Sequence, residues 1–154
     1  MADLIHCIYT STAKAGFGAA QLAELLRLAR ARNQATEITG MLLYSERSFF
    51  QAIEGKATDV DACFARIQLD PRHGKVTRII REAIARRSFG DWTMGFSEVT
   101  PNALNEIEGL NDFFGDKSCF DGLDSGRAKK LLTAFAAGRW RTTLSEPPTG
   151  QVPL

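Results

Sequence analysis

The chain has 154 residues and a formal net charge of +1, from 19 basic and 18 acidic residues. That leaves room for one domain with a sizeable core and gives no electrostatic footprint for duplex DNA or an anionic membrane, so neither nucleic acid nor membrane is an expected partner. Cys7, Cys63 and Cys119 are odd in number, far apart and set in apolar stretches, which fits neither a disulfide framework nor paired metal-ligand spacing and points to free thiols in a reducing compartment. The first seven residues carry Asp3 and lack a basic start and a long apolar core, and no stretch approaches the roughly 18 apolar residues needed to cross a bilayer, so the expected location is cytoplasmic.

Residues 4–11 are β-branched and aromatic enough for a first strand, with Tyr9 on the face shared by Ile5 and Cys7. A loop over 14–18 leads into a helix over 19–32, where Leu22, Leu25, Leu26 and Ala29 repeat at helical spacing opposite Glu24, Arg27 and Arg30. Residues 39–44 and 48–54 read as a hairpin around Ser45-Glu46-Arg47, closed by Gly55. Thr58 and Asp61 form a weak capping pattern before a second helix, whose Val60, Phe64 and Ile67 share a face and which Pro71 stops. Residues 76–85 and 92–99 suggest another strand pair across a longer connection.

The order is β-α-β-β-α-β-β. Its β-α-β-β-α-β part is the ferredoxin-like split βαβ arrangement, an α+β fold in which both helices cover one face and the first and third strands are central neighbours. Tyr9 and Gln51 then lie on adjacent strands. Beyond Pro101 two helical pieces are expected, 102–114 with Leu104, Ile107 and Leu110, and 127–140 with Leu131, Leu132 and Phe135. Their apolar stripes need cover from the second face of the sheet or from another subunit, so a homo-oligomer through the sheet face or these helices is expected. The expected organisation is a domain over 1–100, a helical extension over 101–144 and a turn-rich tail over 145–154.

Gln51 stands in Phe49-Phe50-Gln51-Ala52-Ile53-Glu54-Gly55. Strand alternation directs its amide to the same apolar face as Phe49 and Ile53. A buried amide left unpaired costs about 1–3 kcal/mol, so protein groups or a polar ligand must meet it. Tyr9 on the neighbouring strand can bond it and leave donors and an acceptor for a third party. Asn33, in Arg30-Ala31-Arg32-Asn33-Gln34, reads either as a helix C-cap or as an amide able to pair with the imide edge of a ring in the slot between the helices. Asp70-Pro71-Arg72-His73 reads as a polar turn from which Arg72 could reach the polar edge of a ring or a phosphate. With only His6 and His73 and no companion ligands, a metal site is not expected. Trp92, Met94 and Phe96 present one apolar strand face, and Trp92 and Met94 could move when a nearby polar pair rearranges.

Tyr9 with Ser11, Ala31-Arg32-Asn33 followed by Ile38-Thr39-Gly40-Met41-Leu42, the Gln51 segment, Asp70-Pro71-Arg72-His73 and Phe89-Gly90-Asp91-Trp92-Thr93-Met94 occur in one order. Together they resemble the BLUF domain family, blue-light sensors using FAD, over about residues 3–98. The resemblance implies a flavoprotein photoreceptor rather than an enzyme, with the flavin chromophore held between the two helices and the sheet. It implies that Tyr9 gives an electron and a proton to the excited flavin, and that Gln51 then rotates or tautomerises and changes its bonds to flavin N5 and C4=O. Asn33 would hold the C4=O and N3 edge, Arg72 and His73 would lie near the pyrimidine side, and Leu25 and Ile67 would line the slot. Ser11, Trp92 and Met94 occupy positions linked to tuning or relaying the switch. Arg32 stands where the family often has His or Asn. The implied output is signal transduction to a separate downstream protein or through the chain's own oligomer.

Two other readings compete. Ferredoxin-like folds also host small acyl or phosphate hydrolases, and residues 11–18 form a glycine-containing strand-to-helix loop, although it lacks a phosphate-binding lysine followed by Ser or Thr. A ligand-free interaction module leaves the convergence of Tyr9, Gln51 and Asn33 unexplained.

Overall fold

β1 (Leu4–Ala13), a run of β-branched and apolar residues buried along nearly its whole length, is the inner strand about which the sheet is built. The computed structural model describes residues 3–45, 47–90, 94–98, 120 and 123–136. In chain order β1 is followed by α1 (Ala19–Thr36), β2 (Thr39–Ser45), β3 (Ser48–Lys56), α2 (Ala57–Leu69), β4 (His73–Ala83), β5 (Gly95–Glu98) and α3 (Ser125–Ala136). The strand order is β4-β1-β3-β2-β5. β1 pairs antiparallel with β3 and β4, and β3 antiparallel with β2, as the split βαβ arrangement requires. Tyr9 lies directly opposite Gln51.

The expected pairing of the last two strands does not occur. β4 closes one edge beside β1, whereas β5 runs parallel to β2 at the other. The chain between them is drawn across the end of the sheet by Glu54. Its carboxylate accepts the backbone N–H groups of Ser88 and Phe89 at 2.9 and 2.7 Å and the Thr39 hydroxyl at 2.8 Å, while Arg87 donates to Thr39 Oγ1 and the Glu54 carbonyl. Alternation in a run identifies a strand but says nothing of its partner.

Other boundaries also differ. α1 continues past Arg32 to Thr36, and Glu37, at φ 58°, is its left-handed C-cap. Asn33 is thus inside the helix, its carbonyl accepting the N–H groups of both Glu37 and Ile38. β3 runs through Gly55 to Lys56, and α2 starts from Lys56 without a side-chain cap, so the Thr58 capping pattern is unused. Gly40 is required by close approach, because a Cβ there would lie 2.1 Å from the Ala52 carbonyl oxygen of β3.

Strand alternation sorts the core into two layers. Ile5, Cys7, Tyr9, Leu42, Phe49 and Ile53 face Leu26 of α1 and Val60, Cys63 and Phe64 of α2. Ile8, Met41, Leu43, Phe50 and Ile80 face the opposite way, where Ala128, Leu131, Leu132 and Phe135 of α3 cover them. Each fully buried Leu or Phe of that stripe contributes about 1.5–3 kcal/mol. For α3 the cover therefore comes from its own sheet; the helix expected over 102–114 lies outside the described residues. Cys7 and Cys63 are buried free thiols, and Cys119 also lies outside. No described helix is long and apolar enough to cross a membrane.

Candidate functional site

An 18-residue amphipathic helix normally buries a continuous stripe, yet α1 buries only Leu26 and Asn33 completely. Beneath it a cleft takes the place of direct packing. About 640 Å³ in volume including its open mouth, it is lined by Leu25, Leu28, Ala29, Arg32 and Asn33 of α1, Cys63, Arg66 and Ile67 of α2, and Tyr9, Leu42, Phe49, Gln51 and Met94 from the sheet side, with Asp70, Arg72 and His73 beyond α2.

On the floor of the cleft the Tyr9 hydroxyl donates to Gln51 Oε1, and Gln51 Nε2 donates to Met94 Sδ at 3.3 Å. All three side chains are buried. The Tyr9 ring packs 5.5 Å from Phe64 and 6.4 Å from His73, and the pairing of β1 with β4 slips by a residue between Ile8 and Tyr9, a bulge beside the site. Burial pushes the Tyr9 phenol well above its ordinary value, with smaller contributions from Cys63, Cys7 and Asp70. Tyr9 is therefore a protonated donor at neutral pH. The Gln51 amide still has one N–H and one lone pair for a further partner.

At the far end of α2, His73 is buried rather than solvated. Its Nε2–H donates to the Ile67 carbonyl at 2.7 Å, and its Nδ1 is hydrogen-bonded with the Ser11 hydroxyl at 2.8 Å. Arg72 grips Asp70 through Nε at 2.9 Å and Nη2 at 2.5 Å. That hydrogen bonding holds the Asp70 carboxyl below its ordinary value despite partial burial. Ser11 itself lies within β1 and not in the strand-to-helix loop.

Of the residues singled out in the sequence, Tyr9, Leu25, Asn33, Gln51, Ile67, Arg72, His73 and Met94 line this one cleft, and Ser11 supports it through His73. Trp92 lies outside the described residues; among the described residues Met94 is in contact with Gln51. Sequence reasoning missed Arg30, which it set on the polar face of α1. Both Nε and Nη2 of Arg30 donate to the Met94 carbonyl, at 3.1 and 3.0 Å, tying α1 to the start of β5. Nothing in its spacing distinguishes it from the solvated Arg27. Among the described residues no cluster of three or more potential metal-ligating side chains occurs.

Residues 4–95 match the BLUF family, sensors of blue-light using FAD. The chain belongs to this family. The match covers more than half of the 154 residues. A curated relative, photoactivated adenylate cyclase subunit beta of Euglena longa, is 41% identical over 78 residues, which is 51% of this chain and 9% of the relative's length. Among solved structures, dark-state BlrB, a BLUF protein, superposes with a TM-score of 0.74 at 29% identity over 89% of this chain and 98% of its own. BlsA in its ground state gives 0.77 at 26% identity over 86% and 87%. The BLUF chain thus carries a blue-light sensor domain of a family that uses FAD as cofactor.

The cleft fits that cofactor. Its apolar walls of Leu25, Leu28, Ala29 and Ile67 suit the faces of a flat ring system. The buried amides of Asn33 and Gln51 supply both donors and acceptors, the complement an imide edge requires.

Proposed function

We propose that light is reported by a rearrangement of hydrogen bonds along Tyr9, Gln51 and Met94. The observation that carries this reading is the bonded series itself, from the Tyr9 hydroxyl to Gln51 Oε1 and from Gln51 Nε2 to Met94 Sδ. When bound, FAD supplies the absorption of blue light and a transient acceptor for an electron and a proton. Asn33 would hold its imide edge, Leu25 and Ile67 its faces, and Arg72 and His73 would stand near the pyrimidine side, with Ser11 fixing the His73 ring.

In the dark Tyr9 retains its proton and Gln51 offers Oε1 to it. Turning the amide over exchanges its ends, so that Nε2 faces Tyr9, whose oxygen then accepts, and Oε1 faces Met94. The thioether can accept but has no proton to donate, so the contact with Met94 is lost. A few kcal/mol separates such packings, far less than the energy of an absorbed blue photon. Met94 begins the segment leading into β5, and its carbonyl is held by Arg30, so its displacement acts on β5 and α1 together.

The output side of this reading is the second face of the sheet. Phe50, adjacent to Gln51 on β3, packs 5.7 Å from Phe120, and Ser48 Oγ accepts the Phe120 N–H at 3.0 Å. Phe89 meets Phe135 of α3 at 5.7 Å, and Lys129 of α3 pairs with Glu82 of β4 at 3.1 Å. Residues 1–100 then act as the sensor, 101–144 as the output and oligomerisation element, and 145–154 as a tail, in a cytoplasmic protein signalling to a separate partner or through its own oligomer. The test is Gln51→Leu, which packs as well but cannot exchange bonds. It is expected to keep the flavin and lose the light-induced red shift of its absorption bands; a shift of unchanged size would remove Gln51 from the switch.

A further inference from the structure

Leu26, Arg30 and Asn33 follow one another along one face of α1 at helical spacing. Leu26 and Asn33 are fully buried and Arg30 is half-buried. From there the Arg30 guanidinium reaches the Met94 carbonyl and donates to it from Nε at 3.1 Å and from Nη2 at 3.0 Å. Met94 stands immediately before β5, whose ladder with β2 begins at Gly95 opposite Met41. On its other side the chain is fastened at Phe89, whose N–H donates to the Glu54 carboxylate at 2.7 Å. Arg30 thus holds the backbone of the residue whose thioether accepts Gln51 Nε2 at 3.3 Å. A methionine side chain has three rotatable bonds and fills whatever space it is given, so where its sulfur lies depends on where its backbone is held. An arginine suits that task, being permanently charged and presenting two N–H donors in a rigid fork to one oxygen.

We propose that Arg30 is a positioning residue for the switch, keeping Met94 ready to receive Gln51 and thereby setting the rate at which the lit arrangement returns in the dark. The proposal rests on the reading that Gln51 turns over between Tyr9 and Met94. Return requires the amide to turn back and Nε2 to meet the sulfur again. While the carbonyl is held, one side chain has to rotate. Once it is released, the thioether must also be ordered on the way to the barrier, and the dark arrangement that is regained is less stable. Both effects slow the return.

The test uses the FAD-loaded full chain as wild type, R30Q, R30K and R27Q, and reads FAD affinity, dark band positions and the rate at which absorption recovers after a blue pulse. Arg27 lies on the same helix, pairs with Glu24 and is exposed, so R27Q removes a charge without touching Met94 and is expected to match the wild type. R30Q should bind FAD within about 2-fold of the wild type, with unmoved dark bands, and recover at least ~5-fold more slowly. R30K keeps the charge without the fork, and should recover more slowly than the wild type and no more slowly than R30Q, which carries the test if R30Q fails to fold. In protein whose methionines carry heavy carbon at the carbonyl, an infrared band should move to higher frequency in R30Q as the Met94 carbonyl loses its Arg30 donors. Recovery at the wild-type rate or faster in either Arg30 variant, an unmoved carbonyl band, equal slowing in R27Q, or loss of FAD by both Arg30 variants overturns the assignment and leaves the Gln51 switch standing. A wild type whose flavin bands do not respond to light overturns both.

Discussion

Tyr9 and Gln51 were legible because period-two alternation fixes which side chains share a face, and the register then brings the two directly opposite each other. Asn33 and His73 were only half legible. Asn33 looked like a cap because the arginines around it mimic a helix end, yet α1 runs a turn further and buries its amide. His73 looked like part of a polar turn, although its place opposite Ala13 at the end of β1 brings it to Ser11. Arg30 had no signature, since its partner is a backbone carbonyl distant in sequence. Burial of Tyr9, Cys7 and Cys63 has a measurable consequence. Burial raises the Cys7 thiol from 9.0 to about 11, and raises Cys63 and Tyr9 likewise. Each group keeps its proton to higher pH when folded than when unfolded. Its stability contribution is therefore complete below the unfolded pKa and declines as pH rises past it. Urea unfolding between pH 8 and 11 should show stability falling from about pH 9 as the Cys7 and Cys63 thiols of the unfolded chain ionise, and more steeply above about pH 10 as its Tyr9 does, by up to about 1.4 kcal/mol per pH unit for each group. Tyr9→Phe should flatten the part above pH 10; an unchanged slope would mean that Tyr9 is not held protonated by burial.

At the scale of elements, the four strands and two helices of the split βαβ unit followed from local pattern, and what did not follow was partner choice. β4 and β5 carry similar alternation but end at opposite edges, because the buried Glu54 carboxylate collects Ser88, Phe89 and Thr39 and leads the connection past the end of the sheet. A glutamate in an apolar strand gives no hint of which distant N–H groups will reach it. Gly40 shows the same limit, for nothing local says that the β3 backbone comes within 2.1 Å of where its Cβ would be. Since that neighbour is a backbone carbonyl and cannot swing aside, Gly40→Ala should destabilise the fold by at least about 1–3 kcal/mol through forced separation of β2 and β3. A urea midpoint equal to that of the wild type would show that β2 and β3 tolerate a wider spacing there.

For the whole molecule, the two faces of one sheet hold two different layers, a cleft under α1 and α2 and a packed apolar core under α3. β3 belongs to both, presenting Gln51 to one and Phe50 to the other. The apolar stripe of α3 was evident in the sequence, but that its own sheet covers it was not, because a stripe specifies the need for cover and not its source. If β3 couples the layers, illumination should change amide hydrogen exchange at Leu131, Leu132 and Phe135 in the wild type and leave it unchanged in Gln51→Leu. Exchange in α3 indifferent to light in the wild type would take that helix out of the signalling route. Every step of this scheme depends on a flavin in the cleft that responds to light through Tyr9 and Gln51. The most direct test is the absorption spectrum of the purified chain in the dark and after blue illumination. The expected result is a yellow protein whose flavin bands shift to the red under light and return in the dark; a colourless protein that fails to take up added FAD, or a bound flavin whose bands do not move, would contradict it.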